Sequence, residues 1–423
     1  MASPPSPVPT LPVLTPEDAR ARHIRRSDMV ACALAFIDCK MPGSERKLNY
    51  SLVGPGVTQS RDQVVNLTEA HGFSLGVAAM PPGTVNNLHV HFTAEVFMIQ
   101  RGTWIFRWGA DGQDGTVTGG PGDVVSVPTW IFRGFSNTGA EDGWIFTALG
   151  GDDTGGIIWH PSILANAAQY GMFLTQDNML VDTSAGTPRP APDALMAPLS
   201  PEQIATLPRY TAEQMSRRVV KAADRAWSGR ALLSSCLPGH AAEVAPVIGY
   251  GMSEDRAHAP AITNPHGFSI EWLRIPAGNR VGRHSLGEKQ VLIVFNGALD
   301  VTLNAPGAEV PVHIAAGECF SAPVGAWRSL AAAGDAPVEA ALITAGDARK
   351  RITWAPEVVQ AALRAGTVLD HDGHVAPLDL LPPPTRKAVL AMMRQGAAPD
   401  VAAIDTPAME AAAMEAPAME AAE

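Results

Sequence analysis

The chain has 423 residues, of which 46% are hydrophobic and 17% charged, and its formal net charge is −11. That length allows one to three domains with sizeable cores. An acidic balance with no long basic run argues against a nucleic-acid partner, whose phosphates require clustered Lys and Arg.

The opening stretch, MASPPSPVPTLPVLTP, is rich in proline and has no apolar run behind a charged start. It reads as neither a signal peptide nor a membrane anchor, and residues 1–14 are expected to form a disordered tail. TPEDARARHIRR, from Thr15, predicts a helix with a Thr cap and Pro and acids in its first turn. Arg20 to Arg26 read as its solvated face. Short strands follow, punctuated by turn residues: FSLGVAAM, EVFMIQRG, TWIFRWG, DVVSVP and GWIFTAL. That spacing predicts a β-sandwich or small barrel. SILANAAQYG, from Ser162, predicts a helix stopped by glycine. TSAGTPRPAPDALMAPLSP reads as a linker. YTAEQMSRRVVKAAD, from Tyr210, then opens as the first helix did, and EVVQAALRAG, from Glu357, closes a second set of strands. Repeated Ala-Met-Glu marks residues 399–423 as a low-complexity tail. Cys32, Cys39, Cys236 and Cys319 have neither zinc nor redox spacing and read as free thiols of a reducing compartment. No run is long and apolar enough to span a bilayer, so a cytoplasmic protein without membrane contact is expected.

The two sets of strands are copies. HGFS occurs at His71 and at His266, an offset of 195. The same offset pairs Gly54 with Gly249, His89 with His284, Gly102 with Gly297, Gly122 with Gly317, Pro128 with Pro323, Arg133 with Arg328 and Trp159 with Trp354. One duplicated unit is implied, with unit 1 over residues 15–195 and unit 2 over 196–398.

In LHVHFTAEVFMIQRG, His89 and His91 lie two apart, on one strand face. Glu95 starts the next strand, where a hairpin can return it beside them. Two imidazoles and a carboxylate, with positions left open, suit Fe(II), and also Mn or Zn. Unit 2 has His284, but Leu286 and Gln290 stand opposite His91 and Glu95. His284, Gln290 and Arg328 therefore read as a degenerate second site without metal.

These residues resemble a known family. Gly83, five residues, His89-Val90-His91, three residues, Glu95, six residues and Gly102 look like the first cupin motif. Gly122-Asp123, Pro128, Arg133 and Asn137 look like the second. The resemblance implies a mainly β bicupin of two tandem double-stranded β-helix (jelly-roll) barrels, each flanked by short helices. It also implies one divalent metal in unit 1, and a homodimer. Family members usually carry a ligating histidine where this sequence has Arg133. His160, opposite Ala355, is then either the missing fourth ligand or proton shuttle, or a helix-entry residue.

Residues present only in unit 1 are candidates for its task. Trp104, Phe106, Trp108 and Trp130 face Leu299, Val301, Leu303 and Gly325. They read either as an aromatic chamber for a planar substrate or as packing. Arg133 reads either as a hold on a substrate carboxylate or as an architectural anchor shared with Arg328. His71 and His266, matched in both units, read as structural. His371 and His374 read as turn residues.

Bicupins that resemble this chain include ring-cleaving dioxygenases of the gentisate, hydroxynaphthoate and flavonol types. The expected function is therefore a metal-dependent oxidoreductase: a dioxygenase that cleaves a C–C bond of a small aromatic or planar substrate. A lyase, isomerase or decarboxylase on the same site is the second reading, and a non-catalytic ligand-binding or scaffold bicupin is the third.

Overall fold

Alternation shapes the first barrel. Along Trp104–Trp108 every second side chain is buried, because residues two apart share a face of the sheet. The computed structural model describes residues 13–394; most of the N-terminal tail and the whole 399–423 tail lie outside them. In unit 1 a five-stranded sheet runs Ile158–Trp159, Val85–Val90, Arg133–Asn137, Trp104–Trp108, Gly115–Gly119. Its companion has seven strands: Val219–Val220, Val124–Val127, Glu95–Arg101, Gly143–Gly150, Phe73–Met80, Leu48–Val53 and Val65–Leu67. Unit 2 repeats the plan with five-stranded and six-stranded sheets. The registers match: Arg133 pairs with His89 and Arg328 with His284. Both units are jelly-roll barrels, as expected.

The helices that open the units behave differently from the sequence reading. Pro16–Arg22 and Ala212–Ser216 are short, each begun by a capping box. Each runs into a two-residue strand on the opposite barrel. His23–Ile24 pairs with Phe320 and Cys319 of unit 2, and Val219–Val220 pairs with Val125 and Val124 of unit 1. The units exchange arms. Sheet-edge hydrogen bonding and burial of Ile24 and Val220 outweigh the helix propensity of the basic segment. Leu14, assigned to the tail by sequence, is buried, and its backbone bonds both ways with the Asn304 side chain.

The larger sheets of the two barrels pack against each other. Phe73 meets Phe268 at 6.0 Å between ring centroids, and Phe146 meets Phe295 at 5.6 Å. His71 and His266 tie this interface symmetrically: His71 Nε2 bonds Ser321 Oγ and His266 Nε2 bonds Ser126 Oγ, each at 2.7 Å. The four cysteines are free. Among the described residues no helix is long and apolar enough to cross a membrane.

Candidate metal site and substrate cavity

His89 lies on Val85–Val90, His91 directly follows that strand, and Glu95 begins Glu95–Arg101. The sheet pair brings all three into the first barrel, buried, with ligand atoms within 4.8 Å of one another. His91 Nε2 lies 3.4 Å from Glu95 Oε1. That is close to the ~3 Å between neighbouring donors set about 2.1 Å from one ion. His89 Nδ1 bonds the Asn87 carbonyl at 2.6 Å. A carbonyl only accepts, so Nδ1 carries the hydrogen and Nε2 keeps its lone pair for the centre.

Burial pushes the His89 pKa well below its ordinary value, and the neighbouring His91 and Arg133 push the same way. Burial also lowers His91, against the pull of Glu95. Burial alone would raise the Glu95 pKa, but His91 and Arg133 hold the carboxylate ionised, well below the usual carboxylate range. Imidazoles of lowered basicity and a carboxylate of raised acidity both favour the deprotonated forms that a divalent cation requires.

Beside the three donors lies a cavity of about 60 Å³, whose walls include Tyr50, Phe97, Phe135, Trp159, Lys47 and Asn86. It is smaller than the roughly 150 Å³ that accommodates a benzene ring, so in this conformation it suits a molecule of a few heavy atoms.

A profile of the cupin domain matches residues 76–147, the segment that carries the donors. Oxalate decarboxylase from Lactobacillus farciminis, as a formate complex, superposes with a TM-score of 0.50 at 12% identity, over 87% of this chain and 96% of that one. The first barrel thus carries a cupin domain, and the chain as a whole has a two-barrel fold like that structure's. Oxalate decarboxylase from Bacillus subtilis at pH 4.6 gives a TM-score of 0.49 at 12% identity, over 80% of this chain and 79% of that one. Vicilin from Capsicum annuum gives 0.48 at 12% identity, over 79% and 88%. At such identity the likeness speaks for the fold alone. No curated protein matches in sequence.

Several residues expected at the site lie elsewhere. Trp104, Phe106 and Trp108 do not line the cavity. They pack into the barrel core with Phe135 and with Met215 from the arm of unit 2, and Trp108 Nε1 donates to the Tyr210 carbonyl at 2.8 Å. Packing in the core accounts for them better than a chamber does. Trp130 is 44% exposed, meets Phe92 edge to face and holds a φ of 61°. Gly325 takes that left-handed position in unit 2, with a φ of 72°. His160 caps the helix Pro161–Gln169 through its Nδ1 and stands outside the donor cluster. Arg133 is absent from the cavity wall. Its Nε donates to Glu95 Oε2 at 3.1 Å and its Nη1 to the Ile131 carbonyl at 3.1 Å, which places it as the anchor of the carboxylate.

The second barrel is the control. His284 Nδ1 bonds the Gly282 carbonyl at 2.8 Å, as His89 bonds Asn87. Arg328 Nη2 donates to Gln290 Oε1 at 3.0 Å, in place of the Arg133–Glu95 pair. Leu286, Leu292, Leu299 and Leu330 fill the interior. One imidazole, an amide and a guanidinium give a poor donor set for a cation. Asp370, Asp372 and His374 also bring ligand atoms within 4.8 Å, but Arg256 already bridges both carboxylates at 2.7 Å.

Reading the sequence for ligands passed over Lys47, Asp38 and Asn86. Lys47 Nζ bonds Asp38 Oδ1, and also Asn86 Oδ1 at 2.7 Å. The repeat contained the signal. Strand register sets Lys47 opposite Ala242 and Asn86 opposite Val281, and one added residue of offset sets Asp38 opposite Ser234.

Proposed function

We propose that this bicupin is a metal-dependent enzyme that breaks a C–C bond of a small planar molecule in its first barrel. The observation that carries the reading is the convergence of His89, His91 and Glu95 at the wall of a cavity. Two histidines and a carboxylate with open positions suit Fe(II) and a dioxygenase, with Mn or Zn as other occupants. When bound, the ion supplies Lewis acidity and, as iron, redox chemistry with dioxygen. The protein's own residues set the stage. Asn87 fixes the tautomer of His89, Arg133 holds Glu95, and the apolar walls limit water.

A second reading, a decarboxylase or lyase with a redox-silent ion, draws support from the cavity. Its volume falls short of an aromatic ring, and a buried cation, Lys47, stands on its wall. Metal analysis of protein purified without chelator, followed by turnover assays in air and under argon, separates the readings. About one iron per chain with turnover only in air supports the dioxygenase. Turnover under argon supports the decarboxylase or lyase. No stoichiometric metal after anaerobic reconstitution removes both and leaves a ligand-binding bicupin.

A further inference from the structure

We propose that Lys47 is the substrate-positioning residue of the first barrel, and that its ammonium group takes the carboxylate of a small acid held in the cavity. The inference rests on reading that cavity as the substrate chamber.

Lys47 is 6% exposed and lines the same cavity as His89, His91 and Glu95. An ammonium has three hydrogens to donate. Asp38 and Asn86 accept two, and no third acceptor occurs among the described residues. Phe36 and Trp159, both on the cavity wall, flank the Nζ with ring centroids 5.1 and 5.6 Å away. The cation is therefore held on fixed partners with one donor to spare.

The second barrel shows that the fold does not require this group. The frame around it is kept. Gln59 Oε1 accepts from Ile37 N and Trp159 Nε1, and Glu254 accepts from Leu233 N and Trp354 Nε1 in the same places. Within that frame the polar set is gone. Ala242 replaces Lys47, Ser234 replaces Asp38, Val281 replaces Asn86 and Gly282 replaces Asn87. Asp38 Oδ2 accepts from Asn87 Nδ2 at 3.0 Å, and there Ser234 Oγ merely accepts from Gly282 N at 3.2 Å. A buried ion pair is weak evidence of a stabilising role, because desolvation offsets its attraction. Lys47 and Asp38 disappear together with the donors His91 and Glu95, which ties them to the task of unit 1.

The charges agree. Glu95 balances Arg133 and Asp38 balances Lys47, so the chamber without an ion is close to neutral, and a divalent ion makes it cationic. An acid would meet the ion at one end and Lys47 at the other. Asp38 also reaches the donor set, since Asn87, which it holds, carries the carbonyl that fixes His89.

The test compares pyruvate with its neutral amide by ligand-observed NMR, on full-length protein as purified and after chelation, with metal content measured in each sample. The variant is D38S/K47A, which installs the residues of the second barrel and leaves no lone buried charge. D38N/K47M, closer in volume, makes the same comparison if the smaller side chains melt the barrel. The expected result is a preference for the acid of about ten-fold in chelated wild type, falling to nearly none in the chelated variant. A preference that survives in both variants, or wild type that binds neither probe, overturns the role of Lys47 and leaves the metal reading standing. Wild type that holds no metal even after anaerobic reconstitution, but loses its acid preference in the variant, supports Lys47 and overturns the metalloenzyme.

Discussion

Arg133 Nε donates to Glu95 Oε2 at 3.1 Å inside the first barrel, and both side chains are almost wholly buried. In the second barrel the same arginine position, Arg328, donates to an amide, Gln290. The duplication thus shows how to remove the carboxylate without stranding the guanidinium. Glu95→Gln is expected to keep the fold, with a stability change within about 1 kcal/mol, and to lose bound metal. Glu95→Ala should cost on the order of 3 kcal/mol, because it leaves Arg133 buried and unpaired. Metal analysis and urea unfolding of the two variants check this. Full metal content in Glu95→Gln would refute the donor assignment.

Burial pushes Glu254 and Glu271 in the second barrel up to about 8, from an ordinary value of 4.5 in the unfolded chain. Between those values the folded state holds protons that the unfolded state has released, so stability falls as pH rises from about 4.5 through 8. Gln59 occupies the Glu254 position in unit 1 and makes the equivalent hydrogen bonds. Glu254→Gln should therefore stabilise the protein at pH 8 by roughly 1–3 kcal/mol and flatten the decline. Unfolding curves at pH 5 and pH 8 measure it, and an unchanged slope would count against a raised carboxyl.

Trp108 is buried with its Nε1 on the Tyr210 carbonyl and does not line the cavity. Trp108→Phe should lower stability by about 1–2 kcal/mol, from a lost buried hydrogen bond. Small-ligand affinity should not move. A change in affinity without a change in stability would return the tryptophan to the substrate.

The exchanged arms make each barrel depend on the other chain half. A fragment of residues 15–195 lacks Met215 and Val220, which pack on the first barrel, and it bares the apolar face around Phe73 and Phe146. Such a fragment is expected to aggregate or to stay molten. A sharp, two-state unfolding transition from a monomeric fragment would contradict that interdependence.

The sequence by itself determined the duplication, the jelly-roll strands and the grouping of His89, His91 and Glu95. Those features rest on local rules, a fixed offset and a side-chain period of two, which survive without knowledge of what packs on what. The same rules could not decide whether Trp104 and Trp108 lined a chamber or a core, since an aromatic side chain serves both. Nor could they give Arg133 to Glu95, because a guanidinium matches a substrate carboxylate as well as a protein one. Lys47 was legible in principle as a unit 1 lysine opposite Ala242, but its value lies in a cavity shared with residues some forty positions away. The arms were out of reach of local reasoning. Their short helices are capped as the sequence indicates, yet they end where the edge of the other barrel offers unpaired backbone, and only the assembled tertiary structure places that edge.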